Sequence, residues 1–472
     1  MAAPVAPTPL PVAVIGAGPV GLAAAAHLAE RGIRFVVLEA GDGPAASVAQ
    51  WGHVRLFSPW RYDVDAASSR LLHAAGWSAP DPERLPTGAE LIRDYLQPLG
   101  QLPALAPHLR YRSSVEGITR VGVDRVRSVG REQAPFLLRL GDGSDVIARA
   151  VIDASGTWRT PNVLGAGGLP AVGEPAGATR GGAGGAAAHL EPALPDVLGA
   201  DRERFAGRHT LVVGSGHSAA NTLLALAALR ADAPGTRVTW AVRGPAPTRA
   251  YGGGDADQLP ARGALGSTLR ELVASGDVEL LAGFRTRALI PAGGRVEVVG
   301  EDGESAPGRG GRGADRGAGD GPRVVVDRVV VATGYRPDHA LAAELRLDVD
   351  PVLGATRALA PLIDPNEHSC GTVPPHGVDE LAHPEQDYWV VGAKAYGRAP
   401  TFLLATGYEQ VRSVTAELAG DRAAAREVRL ILPQTGVCSS DRPTEAAGDC
   451  CSAPAPTFAT VVAAAPGGGC CT

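Results

Sequence analysis

"PVAVIGAGPVGLAAAAHLAERGIRFVVLEA", residues 11–40, decides the fold of this chain. A short β-branched run precedes Gly16, Gly18 and Gly21, an Ala-rich stretch follows, and a second apolar run ends at Glu39. The order reads strand, glycine turn, helix, strand. Glycines at this spacing permit a tight turn and the close approach of a pyrophosphate to a helix N-terminus. Glu39, 23 positions after Gly16, is placed to accept hydrogen bonds from a ribose 2′-hydroxyl. The stretch therefore predicts a dinucleotide-binding unit.

A second such unit occupies residues 209–244, "HTLVVGSGHSAANTLLALAALRADAPGTRVTWAVRG", with its turn at Gly214, Ser215, Gly216, His217 and Ser218. Its second strand ends in Arg243 where the first unit has Glu39. An acid there would repel a ribose 2′-phosphate, whereas arginine pairs with one, so NADPH is the expected ligand. Two further apolar strands, "AVIDASGTWRTP" (150–161) and "RVVVATGYRPD" (328–338), end in Ser155-Gly156 and Thr333-Gly334. Such turns let the chain pass close to a bound dinucleotide.

Four elements in this order resemble the flavoproteins with two dinucleotide-binding domains. The resemblance implies an α/β fold of two Rossmann-like domains, the NADPH domain inserted in the FAD domain. The FAD domain is then expected at 1–165 and 325–435, the NADPH domain at 200–325, and a flexible cysteine-bearing tail at 436–472.

The 472 residues fit two or three domains, and 45% hydrophobic residues supply a large core. A net charge of −6 offers no general attraction to nucleic acid or anionic membranes. No apolar run approaches the ~20 residues of a membrane span, and the N-terminus lacks the layout of a signal peptide. A cytoplasmic location is expected, with a homodimer left open. Of 44 basic residues only Lys394 is a lysine. A lysine in an arginine-using chain suggests a compact charge or a tunable pKa, so Lys394 is a candidate catalytic residue.

The stretch "SVAQWGHVRLFSPWRYD" (47–63) and the helix "LPTGAELIRDYLQPL" (85–99) resemble flavin-containing monooxygenases. The resemblance implies flavin contacts for Gln50, Trp51 and Arg55. The histidine fingerprint of that family is missing: His189 stands in "GGAAAHLEPAL" without the expected aromatics. In "DYWVVGAKAYGRAPTFLLATGYEQVRSVTAEL" (387–418), Gly392 matches the position beside the flavin ribityl chain. A helix beginning near Pro400 would point its N-terminus at the flavin ring.

The stretches 193–221, 368–385 and 396–414, with the tail, narrow the resemblance to flavin monooxygenases of bacterial arsenic-resistance clusters. This implies oxidation of a trivalent, methylated arsenical by O2, with FAD and NADPH as cofactors. The tail holds Cys438 and the adjacent pairs Cys450-Cys451 and Cys470-Cys471, while Cys370 stands alone. Neighbouring Cα atoms lie about 3.8 Å apart, too close for an unstrained disulfide. Adjacent thiols suit one soft centre such as trivalent arsenic. No Cys-x-x-Cys or Cys-x4-Cys redox pair occurs. Two alternatives remain open: an NADPH-dependent reductase using the tail thiols, and a non-catalytic metalloid-binding flavoprotein.

Overall fold

The structure is a computed structural model that describes residues 9–175, 184–301, 321–367, 373–399 and 403–430. All six cysteines, and with them the expected arsenic-binding thiols, lie outside the described residues.

Two parallel five-stranded sheets organise the chain. The first runs, edge to edge, through Tyr388–Val390, Ala150–Asp153, Val12–Ile15, Phe35–Leu38 and Leu109–Arg110. Its three inner strands and its Tyr388–Val390 edge are buried at every position, as expected of parallel strands covered on both faces. Helix Pro19–Glu30 covers one face, entered through a proline at its first turn. Its Ala23–Ala26 run is fully buried. Small side chains let it lie close to the sheet while helix Leu404–Leu418 packs on its other side. An antiparallel meander, Val115–Arg120, Phe136–Leu140 and Asp145–Ala148, is spliced in before the Ala150–Asp153 strand.

The second sheet runs Glu279–Ala282, Arg237–Val242, His209–Val213, Arg328–Val331 and Leu190–Glu191, again all parallel. Helix His217–Asp232 packs on it, and helix Pro260–Ala274 packs against that helix. A second antiparallel meander, Thr286–Ala292, Arg295–Gly300 and Arg323–Val326, precedes its Arg328–Val331 strand. The α/β architecture with two dinucleotide-binding units is thus as the glycine turns predict. The expected limits of the insert, 200 and 325, differ from the sheet limits. Leu190–Glu191 and Arg328–Val331 both belong to the second sheet, because the apolar run "RVVV" is buried between His209–Val213 and Leu190–Glu191.

The two stretches that carry the chain between the sheets run side by side. Asn162 N–H donates to the Gly334 carbonyl at 2.8 Å and Arg336 N–H to that of Thr160 at 3.0 Å. Asn162 Nδ2 donates to the Thr333 carbonyl, and Thr333 Oγ1 to that of Asn162. His189, which stands outside the family's histidine fingerprint, bonds the Asp327 carbonyl at 3.0 Å. Among the described residues no helix is long and apolar enough to cross a membrane.

Candidate functional site

Each sheet carries a glycine cradle at the carboxyl ends of its central strands. In the first, Gly16 has φ +96°, and a Cβ there would lie 2.8 Å from the Ala154 carbonyl oxygen. A Cβ on Gly21 would collide with the Gly16 carbonyl oxygen. These two glycines are required by the protein itself, one by left-handed backbone and both by close packing. Gly18 differs. It has φ −74°, open to any residue, and a Cβ there would meet no atom within 4 Å. It caps helix Pro19–Glu30 with no side-chain hydrogen bond and no acid in the first turn. The N–H groups of that turn are left for something outside the chain.

The second cradle repeats the arrangement. Gly214 has φ +136° and packs against the Ala332 carbonyl, as Gly16 does on Ala154. Gly216 has φ −91°, faces open space, and caps helix His217–Asp232 without a side-chain bond or a nearby acid. Ser215, His217 and Ser218 complete this turn. The partner turns match too: Ser155-Gly156 passes the first cradle and Thr333-Gly334 the second, Gly156 at φ +71° and Gly334 at φ +86°.

Glu39 and Arg243 occupy the same place in the two units, one residue beyond the second strand. Glu39 accepts N–H bonds from Ala17 and Gly41, each at 2.7 Å, which ties it to the first turn. Arg243 is exposed and donates to the Ala166 carbonyl at 3.2 Å.

Lys394, the candidate catalytic residue, lies in the interior. It is 1% exposed, and its ammonium donates to Asp153 Oδ2 at 2.7 Å and Ser155 Oγ at 3.1 Å. Tyr388 donates to the same carboxylate. Burial alone would raise the Asp153 carboxyl, but the Lys394 charge and the Lys394 and Ser155 hydrogen bonds hold it below the usual carboxylate range. A lysine ends in a compact ammonium, which here sits among these oxygens. Its position is behind the Ser155-Gly156 turn, which it fixes. Gly392, at φ +73°, packs on Val20 at the start of the first helix, and Gln410 accepts its N–H at 2.7 Å.

Gln50, Trp51 and Arg55 lie on a segment that bridges the two units. Gln50 Oε1 accepts from Trp158 Nε1 at 2.9 Å, and Trp158 stacks on Tyr335 with ring centres 4.9 Å apart. Trp51 is held against Gly88, where a Cβ would come within 3.0 Å of the indole. Arg55 turns away to the Leu85 carbonyl and is exposed. Two residues on, the Phe57 ring meets His217 of the second cradle at 4.9 Å.

The segment ends at a buried acid. Ser58 donates to Asp63 Oδ1 at 2.7 Å, while Oδ2 is buried without a hydrogen-bond partner. Burial pushes the Asp63 carboxyl up to about 7, against the opposing Ser58 bond. The folded-state value lies above the unfolded one. The contribution to stability is therefore full in acid, below the unfolded pKa, and is lost as pH rises through 7. From pH 4 to pH 8 the unfolding free energy of Asp63→Asn should move in the variant's favour by about 4 kcal/mol relative to the parent. Urea unfolding at both pH values reads this, and a pH-independent difference would refute it.

The family profile described as pyridine nucleotide-disulphide oxidoreductase matches residues 10–353. No curated protein matches the sequence. Among solved structures, the bacillithiol disulfide reductase Bdr (YpdA) of Bacillus cereus aligns at TM-score 0.58 and 18% identity, over 88% of this chain and 99% of that one. DfoA, the cadaverine monooxygenase of Erwinia amylovora solved bound to FAD, gives 0.58 and 16%, over 92% and 100%. The ornithine N-hydroxylase KtzI of Kutzneria sp. 744, solved with FAD and NADP+, gives 0.57 and 15%, over 88% and 100%.

Proposed function

The chain belongs to the pyridine nucleotide-disulphide oxidoreductase family, and from that premise we propose that it is an FAD- and NADPH-dependent monooxygenase acting on a trivalent, methylated arsenical. The observation that carries the cofactor reading is the pair Gly18 and Gly216. Neither backbone conformation nor packing requires glycine there, yet both residues cap helices whose first-turn N–H groups are uncapped. A phosphate-bearing ligand explains both facts.

On this reading Gly16, Gly18, Gly21, Glu39, Ser155, Gly156 and Gly392 hold FAD. Gly214, Ser215, Gly216, His217, Ser218, Arg243, Thr333 and Gly334 hold NADPH. FAD supplies two-electron redox chemistry and, once reduced, the activation of O2. The chain's own residues orient and enclose. Lys394 and Asp153 fix the Ser155 turn, Gln410 fixes Gly392, and the Gln50–Trp158–Tyr335 contact ties the bridging segment to both crossing stretches.

Two features support oxygen transfer over thiol–disulfide exchange. The cysteines include no Cys-x-x-Cys or Cys-x4-Cys pair, and the bridging segment resembles that of flavin-containing monooxygenases. The adjacent tail cysteines suit a soft arsenic centre. The overall balance is CH3As(OH)2 + O2 + NADPH + H+ → CH3AsO(OH)2 + NADP+ + H2O. Turnover under 18O2 is expected to place one labelled oxygen in the methylarsenate, with NADPH consumed in equal amount. Oxygen-independent NADPH oxidation would make the protein a reductase, and no turnover would make it a binder.

A further inference from the structure

Helix Leu404–Leu418 carries Gln410 and Ser413 three positions apart, on one face. Both meet the segment 374–378, "PPHGV". Ser413 Oγ accepts the Val378 N–H at 2.8 Å, and a Cβ on Gly377 would collide with that same hydroxyl. The glycine lets the segment lie close enough to the helix for His376 to reach Gln410. His376 is 4% exposed and Gln410 is fully buried.

The contacts form a chain with one possible polarity. At one end the Gly392 N–H can only donate, so the Gln410 atom 2.7 Å from it is the amide oxygen. The other arm of Gln410 is then its NH2 group, and His376 Nε2, 2.9 Å away, must accept from it. His376 Nδ1 lies 3.1 Å from the Pro374 carbonyl, which can only accept, so Nδ1 carries the proton. Both ends are backbone groups, and together they leave His376 one neutral tautomer and Gln410 one amide orientation. Gly392 is held in turn at φ +73° against Val20, in the first turn of helix Pro19–Glu30 that Gly18 caps. The Tyr396 ring lies beside the chain, its centre 5.4 Å from that of His376.

We infer that His376 is a positioning residue of the first cradle: acting through Gln410, its unprotonated Nε2 fixes the Gly392 peptide beside the bound dinucleotide. The inference rests on reading that cradle as the FAD site. A proton on Nε2 would set one donor against another. Gln410 would have to turn its amide over, and its NH2 would then face the Gly392 N–H. Burial lowers the His376 pKa, opposed by the Pro374 hydrogen bond and by Glu380 and Glu409, so the ring is neutral at pH 7. The charged groups around it have partners of their own. Glu380 accepts the Gly377 N–H, Glu409 pairs with Arg412, Asp379 with Arg426 and Glu427 with Arg429. FAD affinity is therefore full above the His376 pKa and falls as pH drops through it.

The test uses the full chain reconstituted with FAD. FAD affinity is measured by flavin fluorescence between about pH 8 and about pH 4.5 for the parent, His376→Leu and His376→Gln. NADP+ affinity at the upper pH is measured alongside as a check on the second cradle. His376→Leu removes the acceptor and should weaken FAD binding about 10-fold at the upper pH, with NADP+ affinity unchanged. In His376→Gln the new side chain has an oxygen that accepts the Gln410 N–H and does not titrate. It should match the parent at the upper pH and keep its FAD affinity in acid, where the parent loses it. Should the leucine variant fail to fold, the pH profile of the glutamine variant decides alone. If His376→Leu binds FAD as tightly as the parent, or His376→Gln follows the parent's loss in acid, the inference is overturned while the FAD reading stands. If both variants lose FAD and NADP+ together, His376 serves the fold and the inference is again overturned. If the parent binds no FAD at any pH, the FAD reading itself falls.

Discussion

Gly18→Val is expected to fold as the parent does and to purify without flavin. A valine at this position keeps an extended conformation that β-branched residues readily adopt, and its Cβ meets no protein atom within 4 Å. The branched side chain instead fills the space in front of the first-turn N–H groups, where a pyrophosphate must come close. The loss of yellow colour should be essentially complete, with the thermal transition near that of the flavin-free parent. Substitution at Gly16 or Gly21 cannot separate these effects, because both would drive a side chain into the backbone. A fully flavinated Gly18→Val protein would remove FAD from this cradle.

Glu385→Gln is expected to cost about 3–5 kcal/mol of stability, because it breaks a buried ion cluster and leaves its arginines uncompensated. Glu385 accepts from Arg120 Nε at 2.7 Å and from Arg131 Nη2 at 2.7 Å, and all three side chains are at most 4% exposed. The guanidinium of Arg120 also lies 3.7 Å over the Phe136 ring. The cluster joins the Val115–Arg120 meander to the chain entering strand Tyr388–Val390. Burial alone would raise the Glu385 carboxyl, but hydrogen bonds from Arg131, the Arg346 N–H and Arg120 hold it below the usual range. A folded-state value below the unfolded one gives stability that is present above the unfolded pKa and is lost as pH falls through the folded one. The gap between parent and variant in urea unfolding should therefore be widest near pH 7 and close in acid. A gap under about 1 kcal/mol at pH 7 would mean the cluster contributes no more than a surface pair.

The cradles were legible because their determinants are local. Gly16, Gly18 and Gly21 act within six residues of one another, and the charge that follows each second strand, Glu39 or Arg243, is set by position along the chain. The role of Lys394 was not legible. Its rarity marked it, but its partner Asp153 lies 241 positions away, and no pattern along the chain announces that pairing. The close seating of helix Pro260–Ala274 on the preceding loop was missed although a signal existed. Two glycines three apart on one helix, with an arginine just before the first, indicate a helix face pressed onto backbone.

The sequence by itself determined the two strand–turn–helix units and the reversal of charge between Glu39 and Arg243, because each depends on backbone conformation and position among near neighbours in the chain. Only the tertiary structure decided that the "RVVV" strand completes the second sheet, that Lys394 is spent on Asp153, and that Glu385 gathers two arginines. These follow from burial. Once side chains distant in sequence leave water together, each charge must find its counter-charge or a ligand, and the choice is made by the packed interior.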